Sequence, residues 1–393
     1  MKRDLTLRYA LQQMMLWGQY GLLFSYANPY MTEQIGLSDT LAGLILGVAT
    51  ALAFLLQPVL TALADKTGLD AKNICLSSSL LGALCAAGAV VLPSCASVLF
   101  TLACVSLQVL PSFSNALGMQ AMRAGCRVNF AISRGIGSLS FGLSAKLAAA
   151  LIERFGNQAI AVSGVVCFVL FFLATLAFPR VRGLAHAQEA PSTIRRFFAE
   201  SPRFLPVLLA TVLLYIGHNA LCNCMFRIAQ SKLPLSASAE AATQLQGTAL
   251  MVAAVLELPT MFLFTRLLRR ARCDIWLMLS CLFMTLRLLL TWLLPGQTGM
   301  ILAQTTQMGG YALFAVASVY YVGTVIPQKN VVKGQTYLGA ANTLGNLLAY
   351  ILGGYLIDLM GVEAMLCICF AASAAGTLVM LCAKERVTNT VGT

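Results

Sequence analysis

The sequence predicts an all-α membrane protein, with twelve transmembrane helices arranged as two pseudo-symmetric six-helix bundles. Three observations predict it. The 393 residues are 59% hydrophobic and only 10% charged, where a soluble domain carries about 25% charged residues. Apolar runs of ~20 residues, the length a helix needs to cross the hydrocarbon, recur from end to end. They lack the polar/apolar alternation of a barrel, and lipid-embedded backbone must bond within its own segment, so the runs are read as helices. The longest soluble stretch, "RVRGLAHAQEAPSTIRRFFAESPR" at 180–203, falls at the middle and leaves six runs on each side. The expected organisation is an N-terminal bundle at 1–180, a linker at 181–203 and a C-terminal bundle at 204–393.

Span one is expected at 8–30, after the basic segment Met1–Arg8. Its apolar part is too long for a signal peptide and lacks a small-residue cleavage site. Gln12, Gln19 and Tyr26 recur every seven residues, so they share one helical face. Spans two and three are expected at 40–63 and 74–93. Span four, 97–119, carries Gln108, Ser112 and Asn115 on one face. Span five, 131–152, is rich in Gly and Ser, which permit close helix approach. Span six, 158–179, is nearly featureless ("VSGVVCFVLFFLATLAF"). In the second half, span seven (204–224) carries His218, Asn219 and Asn223. Spans eight and nine follow at 242–265 and 275–294. Span ten (299–326) carries Gln304, Gln307 and Tyr311, and span eleven (335–357) carries Asn342 and Asn346. Span twelve, 362–383, is apolar. The halves echo each other: "LIERFG" ends span five and "LIDLMG" ends span eleven. Repeated halves around a midplane site are a transporter pattern.

The net charge of +12 invites a nucleic-acid reading, but its placement argues against one. Most of the 26 Lys and Arg fall in the segments that lie inside if the N-terminus is inside, such as Lys66 and Lys72, Arg123 and Arg127, and Arg266, Arg269 and Arg270. Arg154, Arg227 and Lys232 fall in the outer loops. This is the positive-inside bias, and it places both termini in the cytoplasm and the protein in the plasma membrane. The partners expected are the lipid bilayer and a small-molecule substrate, with no nucleic acid, and the chain is expected to be a monomer. The 13 Cys lie mainly within spans and read as small hydrophobes. His218, Cys222 and Cys224 lack the second ligand pair of a metal site, so no metal or cofactor is expected.

Polar residues recur on spans one, four, seven and ten, and point to a central cavity rather than to helix–helix contacts alone. The expected lining is Gln19, Tyr26, Gln108, Asn115, His218, Asn219, Asn223, Gln307, Tyr311, Asn342 and Asn346. Two charges lie deep in consecutive spans, Glu257 in span eight and Arg287 in span nine. An isolated mid-membrane charge costs at least ~2.5–3.5 kcal/mol, and a pair reduces that cost. Burial favours the neutral carboxyl and a neighbouring guanidinium favours the carboxylate, so the pair is a candidate proton site. Arg134 lies near the start of span five and shares a face with Ser138, Phe141 and Ala145. Its fork of donors beside an aromatic ring makes a candidate binding patch. Lys146 lies off that face and reads as a snorkelling or packing residue.

These residues carry a resemblance. "LQPVLTALADKTGLDAK" (56–72) resembles the loop 2–3 motif of the major facilitator superfamily. "SRGIGSLSFG" (133–142), and the run from "ELPTMFLFTRLLRR" (257–270) to "MTLRLLL" (284–290), resemble more narrowly the lactose permease and related oligosaccharide:proton symporters. The resemblance implies the major facilitator fold and sugar transport. It also implies sugar binding by Arg134 with stacking on Phe141, proton coupling through Glu257 and Arg287, and gating by Asp65, Lys66 and Gly68. There are departures. Gln307 and Gly310 stand where those symporters carry a span-ten His and Glu. Thr61 replaces the leading Gly of the loop motif, the stacking aromatic is Phe rather than Trp, and no span-four acid faces Arg134.

The reading that follows is a secondary transporter working by alternating access, carrying a sugar, glycoside or nucleoside by symport, with the proton as coupling ion. Proton-driven efflux of amphipathic compounds is the alternative within transport. An enzyme is disfavoured by the two His, the lack of paired carboxylates in the spans and the lack of a phosphate-cradling loop. A sensor would need a signalling domain, and no segment is long enough.

Overall fold

The computed structural model describes residues 4–67, 70–180, 194–327 and 330–383. Among them no strand forms, and one isolated bridge joins Asp4 to Arg127. Ten helices are long and apolar enough to cross a membrane. Two local features turn ten into twelve crossings. Span one runs in short pieces: Thr6–Gln19, a π-helical turn Tyr20–Phe24, Ala27–Pro29 and a second π-helical turn Tyr30–Gln34. No piece is long enough alone. Val331–Ala383 is two crossings, folded back at Gly361, whose φ of 83° and ψ of 173° lie outside helical space.

The other spans are Asp39–Thr67 (two), Ala71–Val91 (three), Ala96–Arg123 (four), Phe130–Phe155 (five) and Gln158–Ala177 (six). Phe204–Asn223, prolonged by Met225–Ser231, is span seven; Ala239–Leu267 is eight and Cys273–Leu293 is nine. Gly296–Gln304 and Tyr311–Val325, joined through a 3-10 turn, make span ten. Residues 331–360 are span eleven and 362–383 span twelve. A short helix, Ile194–Glu200, precedes span seven. Side-chain caps start several helices by accepting an otherwise orphaned backbone N–H. Asp70 accepts from Asn73 N at 2.8 Å, Asn129 from Ile132 N at 3.1 Å and Ser238 from Ala241 N at 3.3 Å. Of the expected gate motif, Asp65 and Lys66 lie on the last turn of span two with side chains outside the described set. Gly68 is itself outside the described residues, as is 181–193 of the expected linker.

The repeat is written into the irregularities. Pro58 interrupts span two and Pro259 span eight at matching depth. Each removes one backbone hydrogen bond and leaves its helix able to bend. Span one breaks at Tyr26 and span seven at Cys224. Span five ends at Gly156 (φ 74°, ψ 178°) and span eleven at Gly361, a conformation essentially reserved for glycine.

The halves meet along span two against span eleven and span five against span eight. Among the described residues their polar contacts gather at the end away from the N-terminus and Ile194–Glu200, the distal end. Arg227 holds Asp39 at 2.8 Å and Glu33 at 2.9 Å. Thr40 N donates to Asp358 Oδ2 at 2.7 Å, and Gln246 Nε2 to Ser25 O at 2.8 Å. Lys146, rather than snorkelling, donates across the halves to Gln244 Oε1 (2.7 Å) and Thr248 Oγ1 (2.9 Å). Gly43 and Gly354 let spans two and eleven touch: a Cβ on the first would strike the Tyr350 carbonyl, and on the second the Asp39 carbonyl. Span two is buried at regular intervals from Asp39 to Ala53, but no residue of 54–63 is buried. The halves are therefore closed distally, and span two stands clear of the other half at the linker end. Phe262 of span eight still packs on Gly135 of span five there.

Candidate functional site

Between the halves lies a cavity of about 250 Å³. Span one contributes Trp17, Tyr20, Phe24 and Ser25; span five contributes Arg134, Ser138 and Phe141. Span seven contributes Tyr215, His218, Asn219, Cys222 and Asn223. Span eight supplies Leu250, Ala253, Ala254 and Glu257. Arg287 comes from span nine, Gln307 and Tyr311 from span ten, and Asn342 and Asn346 from span eleven.

The polar floor is built around Arg287, whose side chain is only 2% exposed. Nε donates to Gln304 Oε1 at 2.9 Å, and Nη2 donates to the same oxygen. Nη1 donates to Gln307 Oε1 at 2.6 Å and meets His218 Nδ1 at 3.3 Å. An arginine only donates, so His218 Nδ1 is the acceptor and its ring proton sits on Nε2. The His218 ring lies flat on Tyr311, 4.8 Å between centroids and 4° apart. Gln307 Nε2 donates to Glu257 Oε1 at 2.9 Å. The sequence led to a direct Glu257–Arg287 pair. The structure instead inserts Gln307, which accepts from the guanidinium and donates to the carboxylate. An amide bridges two charges because it carries a donor and an acceptor on one short side chain.

Arg134 shares no hydrogen bond with this network, although its charge, like that of Arg287, acts on Glu257. Its guanidinium lies over the Trp17 ring at 3.7 Å from the centroid, and one of its terminal nitrogens, Nη1, is buried without a hydrogen-bond partner. Trp17 is fixed in turn by Nε1–H donating to Gln13 Oε1 at 3.0 Å. Phe141 lines the cavity one to two turns along, but the ring under Arg134 is Trp17 of span one. On the opposite half Asn219 Nδ2 is also buried without a partner. Asn223 Nδ2 donates to Asn346 Oδ1 at 3.1 Å and ties span seven to span eleven.

Nine of the residues expected to bind substrate line the cavity together: Arg134, Phe141, His218, Asn219, Asn223, Gln307, Tyr311, Asn342 and Asn346. Four do not. Tyr26 is fully buried and donates to the Ala145 carbonyl of span five at 2.8 Å. Gln19 is fully buried inside the N-terminal bundle. Asn115 accepts from Tyr9 Oη at 3.5 Å, and Gln108, with a buried Nε2, is likewise off the lining. Span four supplies no lining residue. On its expected polar face Ser112 and Asn115 are exposed, with Ser112 donating to Gln57 Oε1 of span two at 2.9 Å. The neighbouring Ser114 accepts from Gln13 Nε2 of span one at 2.9 Å. Tyr26 and Asn115 join helices to one another, whereas both polar atoms of Gln19 and Nε2 of Gln108 are buried without a hydrogen-bond partner. Reading polarity as the mark of the cavity missed the aromatic lining of span one. Trp17, Tyr20 and Phe24 sit at three- and four-residue spacing, a face legible as aromatic rather than polar.

A family model described as "MFS_1 like family" matches residues 6–370. No curated protein matches the chain in sequence. Among solved structures, a variant of the nucleoside transporter NupG superposes with a TM-score of 0.80 at 16% identity, covering 97% of this chain and 100% of that one. A peptide transporter POT variant gives 0.76 at 12% identity, covering 96% and 93%. An auto-inhibited POT family peptide transporter gives 0.71 at 12% identity, covering 98% and 97%. At these identities the likeness is one of fold.

Proposed function

Since the chain belongs to the MFS_1-like family, we propose that it is a secondary transporter carrying a small ring-bearing polar solute, a glycoside or nucleoside, by alternating access with proton symport. One observation carries this reading: a cavity between two pseudo-symmetric halves, sealed at one end by inter-half bonds and lined with aromatic rings and a charged, hydrogen-bonded floor. Rings of the solute stack on aromatic faces, while amides from several spans meet its hydroxyl and carbonyl groups. The nucleoside and peptide transporters that share its fold fit a cargo of this size. With the basic end in the cytoplasm, the state described faces inward.

Coupling would run through Glu257. Its one described hydrogen-bond donor, Gln307, also receives Arg287. Spans eight and ten carry Glu257 and Gln307, and Pro259 lies two residues beyond the carboxylate. A bend there on closing the linker end would change Glu257's distance to Gln307, and with it the balance between carboxyl and carboxylate. Glu257→Gln keeps size and hydrogen bonding but cannot ionise. In proteoliposomes it should still exchange solute across the membrane, yet fail to accumulate it when a pH gradient is imposed. Full pH-driven accumulation by this variant would make the Glu257–Gln307–Arg287 chain a packing element instead.

A further inference from the structure

The charges of the cavity do not balance. Among its lining residues Arg134 and Arg287 are cations and Glu257 is the anion. Arg287 has its donors occupied by Gln304, Gln307 and His218. Arg134 has no carboxylate within ion-pair reach among the described residues, and its Nη1 is a buried donor with no acceptor. A buried charged donor left unpaired is costly, so such a group is a standing demand for an acceptor. The guanidinium is also held in place. Trp17 lies 3.7 Å beneath it, and Gln13 pins Trp17. From the facing half, Asn219 Nδ2 offers a second buried donor without a partner.

We propose that the transported solute is a monoanion, whose single carboxylate seats on Arg134 while Asn219 donates to it from the opposite half. The proposal rests on the transporter reading above and adds the charge of its cargo. A carboxylate fits the guanidinium fork in two parallel hydrogen bonds. One charge, rather than the two of a phosphate monoester, matches the one net positive charge left by two guanidinium groups and one carboxylate. The ring-bearing remainder of the solute would lie along the aromatic face of span one, where Trp17, Tyr20 and Phe24 follow one another at 5.1 and 5.2 Å. The carboxylate also draws the two halves together, since its donors come one from each. A consequence concerns energetics. Carrying one proton with one monoanion moves no net charge, so transport would be electroneutral, whereas proton symport of a neutral solute is driven by membrane potential.

The test uses matched pairs that differ only in charge: phenyl β-glucoside against phenyl β-glucuronide, and uridine against its 5′-carboxylate. Binding is read by thermal shift and calorimetry on the purified full chain, and uptake in proteoliposomes. The carboxylate member of a pair should bind at least about tenfold more tightly, the range of a charge-assisted pair. The preference should vanish in Arg134→Gln. It should survive, at weaker affinity, in Arg134→Lys, which keeps the charge but not the fork. Uptake should not respond to a potential set with potassium and valinomycin. If the neutral members bind as well as the charged ones, or uptake follows the potential, the monoanion proposal is overturned while the ring-bearing solute stands. If no member of either pair binds, both fall. Should Arg134→Gln not fold, the Lys variant and the potential test decide the matter.

Discussion

Gln307 shows how one residue can set the chemistry of two others. It stands between Glu257 and Arg287, accepting from one and donating to the other. In the oligosaccharide:proton symporters that the sequence resembles, this part of span ten carries ionisable groups. An amide keeps the connection without adding a charge of its own. Replacing it with an isosteric apolar residue, Gln307→Met, would leave the Arg287 Nη1 donor and the Glu257 carboxylate each short of a partner. The expected cost is about 1–3 kcal/mol for each buried group left unsatisfied, read as a lower melting temperature in detergent. An unchanged melting temperature would mean that water replaces the amide at no cost.

At the scale of elements, the matched breaks carry the argument. Spans five and eleven each end on a glycine at positive φ with extended ψ, at Gly156 and Gly361. Gly361 joins two helices with no loop, so the whole reversal between spans eleven and twelve passes through that residue. A side chain is strained there by about 1–3 kcal/mol. Gly361→Ala should lower thermal stability by that order, and Gly156→Ala should do the same at the equivalent point of the other half. Equal stability for both variants and the parent would refute the strain. The prolines are a matched pair of another kind. Pro58 and Pro259 weaken the linker-end halves of spans two and eight, the first standing clear of the other bundle and the second packed on it through Phe262 and Gly135.

For the molecule as a whole, two predictions follow from where the halves touch. Gly354 and Gly43 permit backbone contact between spans eleven and two at the distal end. Gly354→Val should hold that end open and abolish transport while the helical content, measured by circular dichroism, is kept. Normal transport by this variant would show that distal closure does not need the contact. The second prediction concerns orientation. Cys95 is exposed between spans three and four, at the distal end, and Cys382 is exposed at the other end near the finish of span twelve. The positive-inside reading puts the basic segments in the cytoplasm, and on that reading an impermeant maleimide should modify Cys95 on intact cells and lose that reaction in Cys95→Ser. Labelling of Cys95 only after the cells are broken would invert the topology.

Much of this protein was legible from its sequence. Composition and run length settle the membrane class, because a chain with so few charges cannot dress a soluble surface, and ~20 apolar residues are what a bilayer requires. The crossings fall within a few residues of where hydropathy puts them. Deep charges such as Glu257, Arg287 and Arg134 are conspicuous in sequence, because each is expensive unless something receives it. Periodicity groups Gln12, Gln19 and Tyr26 on one helical face, but does not foresee the π-helical turn Tyr20–Phe24 and the break at Tyr26 that change the register between them. It says nothing of what that face meets. Only the tertiary arrangement turns it inward, where Gln12 bonds Thr175 and Tyr26 bonds Ala145, and presents Trp17, Tyr20 and Phe24 to the cavity instead. The same holds for Gln307 between Glu257 and Arg287, and for Trp17 beneath Arg134. These contacts join residues far apart in the chain, and a one-dimensional pattern fixes directions around a helix axis but not the neighbour that lies in each direction.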